Sequence, residues 1–443
     1  MKKILLIMQS PVNKENYINV LPPLGILYIC SFLKSKDIPS DIIDYNVSNI
    51  DYSVVQDYDL IGFSINCANI TNTLNMAKAI KKQYGKEIIV GGPQVTGDPT
   101  FFLDKDYIDG AVVGEGEHAL YEYLIKGKVV PGLYLKEKNK KIVFGEPRPG
   151  NKNLDSLPFP AFDKIDIRKY NTVPKKRNPV STIVTSRGCP FKCIFCFHSL
   201  GYSFRSRSAE NIVDEIEWQV KNFGVKEICF LDDNLSLDIN RAKKIFKGII
   251  DKNLDVVFQI HNGIRVDKVD DELLSLMKQA RLWFMIICPE SGDSKTIELI
   301  KKGFDKEIVR KVVKTSKKMG FFTYACFMIG FPWETEERIK RTVDFAKELD
   351  TDMVQFSRVT AFPGTELYDM CNLNYKIEKD SGLFYGDPRF NISKLTDSRI
   401  NQIIKEAYRK CYLKPRKILK LLTSLKWRNV YLLAKYSVTT KSI

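Results

Sequence analysis

No stretch of this sequence reaches the ~18 uninterrupted apolar residues that a membrane-spanning helix requires. The opening MKKILLIM places two lysines before an apolar run, but the run is short and no small-residue cleavage site follows it. It therefore reads as a buried first strand and not as an export signal. Ten cysteines are present, seven of them scattered singly, which is not the spacing of a secreted disulfide framework. A reducing, cytoplasmic setting is expected. Histidine is nearly absent, with only His118, His198 and His261 in 443 residues. Repeats of solenoid period and low-complexity tracts are also missing. Acidic residues almost vanish at one end: from Asn401 to Ile443 eleven Lys/Arg meet a single acid, Glu406. That segment alone carries +10 of the net +16, so the charge does not describe the molecule as a whole.

Apolar residues at 44% and charged residues at 28% give a globular composition, and 443 residues suffice for two or three domains. From the first residue, short apolar runs (KKILLIM, SDIIDY, DLIGFSI, KEIIVGG, DGAVVGEGE) alternate with amphipathic stretches such as TNTLNMAKAIKKQY. That rhythm predicts an α/β domain with a doubly wound parallel sheet over residues 1–135. A hairpin in LYLKEKNKKIVFG and a proline-bearing connector, NLDSLPFPAFDK, occupy 136–178, where Pro158 and Pro160 discourage helix. The alternation restarts at Ser181. STIVTS, KEICFLDD, VVFQIHN, WFMIICPE, YACFMIGF and MVQFSRVT predict six strands separated by helices, a partial (β/α)6 barrel over 179–370. Residues 371–443 form a basic, mainly helical C-terminal extension.

In such a barrel, chemistry sits at the C-terminal ends of the strands. There the first barrel strand runs into SRGCPFKCIFCFHS, with Cys189, Cys193 and Cys196 at CxxxCxxC spacing. A structural zinc site would need a fourth ligand, for which His198 stands two residues on. A redox CxxC would use two thiols and leave Cys189 unexplained. An iron–sulfur cluster bound by three thiolates would leave one iron open for a ligand. The strand-to-loop context favours the third.

CxxxCxxC after the first strand of a β/α barrel, with Phe195 before the last cysteine, resembles the radical S-adenosylmethionine superfamily. The resemblance implies a 4Fe–4S cluster whose open iron is chelated by S-adenosylmethionine, and a 5′-deoxyadenosyl radical on reduction, with placement and water exclusion left to the protein. It also implies that Phe195, Asp232 and Asp233 of CFLDDN, Glu290 of PESG and Gly330 of FMIGFPWET meet S-adenosylmethionine. For each acid the plain alternative is a helix cap or first-turn carboxylate. A family glycine is missing beside Cys288. Tyr324, His261 and Arg358 are candidate pocket walls.

The first domain carries LPPLGILYI, DLIGFSINC, IIVGGPQVT and VVGEGEHAL, which put small residues at strand ends. Ahead of the cysteine barrel, these resemble the cobalamin-binding domain of the cobalamin-dependent (class B) radical S-adenosylmethionine enzymes. The resemblance implies cobalamin contacts at Pro23, Leu24, Gly25, Ser64, Gly91, Gly92, Gly114, Glu115 and Gly116. The loop after the first strand, MQSPVNKENYINV, lacks the histidine that ligates cobalt in classical domains. A cobalamin without a histidine below cobalt is the expectation.

The function implied is a methyltransferase that uses the 5′-deoxyadenosyl radical and methylcobalamin to methylate an unactivated carbon. Cyclisation or rearrangement with the same cofactors is the alternative. A transfer RNA methylthiotransferase-like activity is disfavoured, because that family carries three further cysteines in its first domain and this one has only Cys30 and Cys67. The expected partners are a small-molecule or lipid-linked substrate and a flavodoxin- or ferredoxin-type reductant, not a nucleic acid. The basic tail, with Trp427 and Tyr431, is either a helix covering the barrel or a peripheral contact with an anionic membrane.

Overall fold

The computed structural model describes residues 2–11, 19–49, 51–137, 141–371, 391–412 and 417. Residues 12–18 of the histidine-free loop after the first strand and the tail residues Trp427 and Tyr431 lie outside the described residues. Two compact units are present: the described residues up to Asn171 with Phe197–Ser206, and Thr172–Cys196 with Arg207–Cys371 and the described residues from 391 on.

The first unit is a seven-stranded sheet in the order β2-β1-β3-β4-β5-β6-β7. Strands β1 (Ile4–Met8), β2 (Ser40–Asp44), β3 (Leu60–Ser64), β4 (Glu87–Gly91) and β5 (Gly110–Val112) are parallel. The predicted hairpin, β6 (Leu133–Lys136) and β7 (Ile142–Val143), joins antiparallel at the edge. The strands are apolar on both faces because helices cover both. Ile4, Leu6, Leu60 and Ile89 pack with Ile26, Cys30 and Leu33 of α1 (Leu24–Lys34) and Leu120 of α5 (Gly116–Lys126). Leu5, Ile7, Ile61 and Phe63 pack with Leu74, Ala77 and Ile80 of α2 (Ile70–Tyr84). Two single-turn helices, α3 (Pro93–Gly97) and α4 (Pro99–Leu103), connect β4 to β5. The strand order reverses between β1 and β3, so a ligand crevice is expected at the carboxyl ends of those strands.

The second unit carries all six expected strands, parallel and in sequence order: β8 (Val180–Ile183), β11 (Glu227–Phe230), β12 (Val257–Ile264), β13 (Leu282–Glu290), β14 (Phe322–Ile329) and β15 (Met353–Arg358). Between β8 and β11 in sequence lie two short strands, Ser186–Arg187 (β9) and Arg205–Ser206 (β10). Helices α6 (Ala209–Phe223), α7 (Ile239–Lys252), α8 (Asp271–Gln279), α9 (Ser294–Leu299), α10 (Lys306–Lys318) and α11 (Glu336–Leu349) alternate with the strands. Ser208, Asp238, Asp270, Asp293 and Asp305 precede five of these helices, and each accepts a bond from a backbone N–H of its first turn.

An open parallel sheet leaves its last strand with unpaired backbone groups. Here α13 (Asp397–Tyr412), which follows α12 (Glu366–Met370), takes the place of a neighbouring strand beside β15. The Tyr412 hydroxyl accepts from Val354 N at 2.8 Å and donates to Val354 O at 3.0 Å, and the Tyr408 hydroxyl accepts from Phe356 N at 3.2 Å. Among the described residues no helix is long and apolar enough to cross a membrane.

Candidate functional site

The cysteine loop leaves the C-terminal end of β8 and has almost no regular structure of its own. Neighbouring βα units hold it. Asp232, 3% exposed, accepts on one oxygen from Thr185 N (3.0 Å), Thr185 Oγ1 (2.6 Å) and Ser186 Oγ (2.6 Å). Arg241 donates to Thr185 O at 3.1 Å and Thr185 Oγ1 at 3.0 Å, and Arg207 donates to Val184 O at 3.2 Å. Asp233 accepts from Gly188 N at 3.2 Å, next to Cys189. Further along, Ile194 N bonds Ile300 O at 3.3 Å and Ile194 O accepts from Leu367 N at 2.9 Å. The Arg265 guanidinium lies 3.4 Å from the Phe191 ring centroid and donates to Lys302 O at 2.8 Å.

Within the loop, Cys196 N bonds Cys193 O at 3.0 Å. The Cys196 thiol donates to Cys193, and that bond pushes Cys193 down to about 6 against the cost of burial, helped by the Lys302 and Arg265 charges. The shared proton stays on Cys196, which moves up for the same reason. Cys189 is raised, chiefly by burial. Lys302 is a site residue that the sequence reading missed. Its ammonium pairs with Glu290 at 2.8 Å, lies 5.7 Å from the Phe195 ring centroid, and is held charged by Glu290 and the cluster thiols despite its burial.

Glu290 ends β13 with φ +64°, a left-handed conformation that costs a non-glycine residue energy and that clusters at functional sites. Gly330 ends β14 with φ +100°, a region that side chains rarely adopt. Its N–H and that of Phe331 donate to Glu334 at 2.8 and 3.1 Å. Glu334 is 1% exposed, and burial pushes it up to about 7 even with those two donors. Phe331 in turn stacks on Trp333 at 5.2 Å and meets Phe195 edge-on at 6.4 Å. Asp232, Asp233 and Glu290 cap no helix; Asp238 and Asp293 take that role beside them.

One face of the six-stranded sheet, its lumen side, is partly accessible. On β13, β14 and β15, Ile286, Cys288, Tyr324, Cys326, Met328, Gln355 and Ser357 are half-buried, while the residues alternating with them are buried. Its floor is closed by Trp283, Phe284, Phe322 and Met353, and by Glu227, which accepts from Lys176 N, Arg177 N, Gln259 and Trp283 Nε1. Tyr324 does face the lumen, donating to Gln355 at 2.7 Å. His261 is on the same face, bonded to Gln259 and Thr172 and pushed down to about 4 by burial. Arg358 does not line it: strand alternation turns it outward to an ion pair with Asp397 of α13. His198 stacks on Tyr202 at 4.1 Å.

In the first unit, Ser64 and Gly91 end β3 and β4, Gly92 and the 114–116 turn follow β4 and β5, and Gly25 lies in the first turn of α1. A side chain at Gly25 or Gly114 would meet nothing within 4 Å among the described residues, so this edge fronts open space. Pro23 and Leu24 open α1 beside it. Ser64 is half-buried at the end of β3. Gly92 is glycine for a packing reason, because at φ +103° its Cβ would lie 2.7 Å from Ile65 O. Gly116 is likewise packed, its Cβ position lying 2.8 Å from Ile29 Cδ1. The Glu115 carboxylate is committed elsewhere: it pairs with Arg205 and accepts from Asn151 N at 2.9 Å. That leaves its backbone, not its carboxylate, for a ligand.

Both sites fit the groups that the sequence implies. Three cysteine thiols carried on one eight-residue loop are the donor set of an iron–sulfur cluster. The cationic Lys302 beside Cys193 and Cys196 suits an anionic cluster. The open glycine edge at a topological switch point suits a large nucleotide-like cofactor.

Comparison with known proteins agrees with this geometry. Residues 183–346 match the radical SAM superfamily and residues 12–124 match the B12 binding domain. The chain is 32% identical over 417 residues to an uncharacterized methyltransferase of Pyrococcus horikoshii, PH0819, spanning 90% of this chain and 89% of that protein. It is 30% identical over 380 residues to a putative methylthiotransferase of Methanocaldococcus jannaschii, MJ0865, covering 82% and 79%. In fold it resembles the cobalamin-dependent S-adenosylmethionine radical enzyme OxsB, with a TM-score of 0.75 and 17% identity over 98% of this chain and 72% of that one. Two cofactor-binding folds in tandem and a relative of this identity along nearly the whole length leave one assignment: the chain belongs to the cobalamin-dependent radical S-adenosylmethionine methyltransferase family, whose members work with a 4Fe–4S cluster, S-adenosylmethionine and cobalamin.

Proposed function

We propose that this protein methylates an unactivated carbon of a small-molecule or lipid-linked substrate by radical chemistry. The observation that carries the reading is the three-cysteine loop at the C-terminal end of a sheet whose lumen side is partly accessible and whose other end is filled by an apolar cluster. When bound, the cofactors supply a carbon-centred radical and a methyl group. Cys189, Cys193 and Cys196 hold the cluster. Phe195, Asp232, Asp233, Glu290 and the Gly330 backbone orient S-adenosylmethionine, and Asp232 also anchors the cysteine loop through its other oxygen. Lys302 offsets the negative charge of the thiolates. Pro23, Leu24, Gly25, Ser64, Gly91, Gly92, Gly114 and Gly116, with the Glu115 backbone, line the cobalamin edge. The plugged floor keeps water from entering the lumen from below, which protects a reactive carbon.

All ten cysteines are free, which suits a cytoplasmic enzyme served by a flavodoxin- or ferredoxin-type reductant. The basic tail would hold the protein at an anionic membrane. Liposome co-sedimentation unaffected by deleting residues 413–443 removes that part.

Anaerobic reconstitution with trideuteromethyl S-adenosylmethionine and extract metabolites provides the test. Products that gain one labelled methyl group support the reading, and isomeric or dehydrogenated products refute it in favour of cyclisation or rearrangement. Methylthio transfer, the activity in the name of the Methanocaldococcus relative, is the second reading. The first domain supplies only Cys30, buried against Ser40, and Cys67 for another cluster. Iron near eight per chain, instead of about four, would revive it.

A further inference from the structure

Two lumen residues have no part in holding a cofactor under this reading: Cys288 on β13 and Cys326 on β14. The register pairs Ile287 with Ala325, which makes the two cysteines cross-strand neighbours on the inner face, and their thiols are within hydrogen-bonding reach. Both are half-buried against the accessible lumen. Space has been cleared for the first: a Cβ at Gly263 on β12 would lie 2.7 Å from Cys288 Sγ. The Cys288 contact and burial hold Cys326 as a neutral thiol, the form that carries a transferable hydrogen atom. Tyr324 also borders this space, but its hydroxyl hydrogen is engaged by Gln355.

We propose that Cys288 and Cys326 form a hydrogen-atom-donating thiol pair that quenches carbon radicals stranded in the lumen. The inference rests on the radical chemistry of the proposed function. An S–H bond is weaker than an alkyl C–H bond, so the transfer runs downhill. In the step, the S–H bond breaks homolytically, a C–H bond forms, and the unpaired electron is left on sulfur, where the second sulfur in contact shares it. One electron from the flavodoxin- or ferredoxin-type reductant and one proton from water then restore the thiol. The pair thereby gives turnover without substrate, or without methyl transfer, a closed-shell ending that spares the surrounding side chains.

The test needs no substrate. Reconstituted enzyme is given S-adenosylmethionine and dithionite in D2O, where thiol hydrogens exchange with solvent. The 5′-deoxyadenosine released should carry one deuterium. In Cys288→Ser/Cys326→Ser, whose O–H bonds are too strong to donate, the deuterium should fall to background while iron content and visible spectrum are retained. Separately, diamide treatment of the reconstituted wild type should link Cys288 to Cys326, as read by peptide mass mapping. Deuterium-free 5′-deoxyadenosine from the wild type, or deuterium that survives the double variant and disappears in Tyr324→Phe, overturns the pair as donor. Failure of diamide to link the two cysteines overturns their pairing. Absence of any 5′-deoxyadenosine refutes the radical reading itself and takes the inference with it.

Discussion

Glu334 offers a quantitative check on the geometry of the strand end that faces S-adenosylmethionine. Its carboxyl group is buried, accepts from Gly330 N and Phe331 N on one oxygen, and leaves the other oxygen without a hydrogen bond among the described residues. Burial raises its pKa from 4.5 to about 7, and the neighbouring Asp293 adds to the shift. In the unfolded chain the group ionises near 4.5, so the folded state binds the extra proton between those values. Its contribution is therefore fully present below about pH 4.5 and lost as pH rises through about 7. A shift of this size corresponds to about 3 kcal/mol. Glu334→Gln keeps a neutral acceptor for the two N–H groups and cannot ionise, so it should escape that loss. Urea unfolding of reduced, metal-free protein, followed by the fluorescence of Trp333 in the same turn, would be run at about pH 5 and about pH 8. The variant should gain about 2.5 kcal/mol on the wild type between the two conditions. Parallel pH dependence in the two proteins would refute the reasoning and mean that the Glu334 carboxyl group is solvated or paired in solution.

Removing the mock strand at the sheet edge is the next perturbation: Tyr412→Phe strips Val354 N and O of their partner and should cost about 1–3 kcal/mol, with concentration-dependent association through β15 as a second readout by light scattering. Calorimetry of Arg205→Met should reveal a loss of about 3–5 kcal/mol confined to the first unit, because it leaves the Glu115 carboxylate buried and short of its cation; an unchanged first-unit transition would mean that the pair is solvated. Gly330→Ala forces a side chain onto φ +100° and should cost about 1–2 kcal/mol while weakening S-adenosylmethionine binding by isothermal titration; unaltered affinity would remove Gly330 from the cofactor site.

Much of the architecture was legible because it rests on local signals. Apolar runs of four to nine residues between amphipathic stretches identified all six barrel strands. The cysteine spacing was equally local. What escaped the sequence depends on closure of the sheet. Cys288 and Cys326 lie on different strands, and nothing in either segment says that they meet. Lys302 sits in a basic stretch that looks like solvated surface until the loop after α9 carries it against Glu290. Arg358 was misplaced for the opposite reason: it is one residue out of phase with Ser357, and alternation along β15 sends it to the outer face. Glu334 was visible within the FMIGFPWET motif, but its burial, and hence its raised pKa, was not.

The placement of Asp232 turns this contrast into a physical point about the site. The resemblance assigns it to S-adenosylmethionine, for which its second oxygen is unpartnered among the described residues, while its first oxygen is filled by Thr185 and Ser186, ahead of the cysteines. Arg241 of α7 and Arg207 before α6 hold the same turn. Arg265 and Ile300, from the units after β12 and β13, hold the far side. A loop without regular structure would lose its geometry to backbone entropy of about 1–2 kcal/mol per residue if left alone. Here, groups from several successive βα units fix it, so the thiol positions are properties of the assembled sheet and not of the CxxxCxxC peptide. The consequence is that substitutions at Asp232, Arg241 or Arg265 should loosen cluster binding without touching a single ligand, as second-sphere supports do in metal sites. Iron retention during gel filtration, compared with Asp233→Asn at the same strand end, separates support from direct contact.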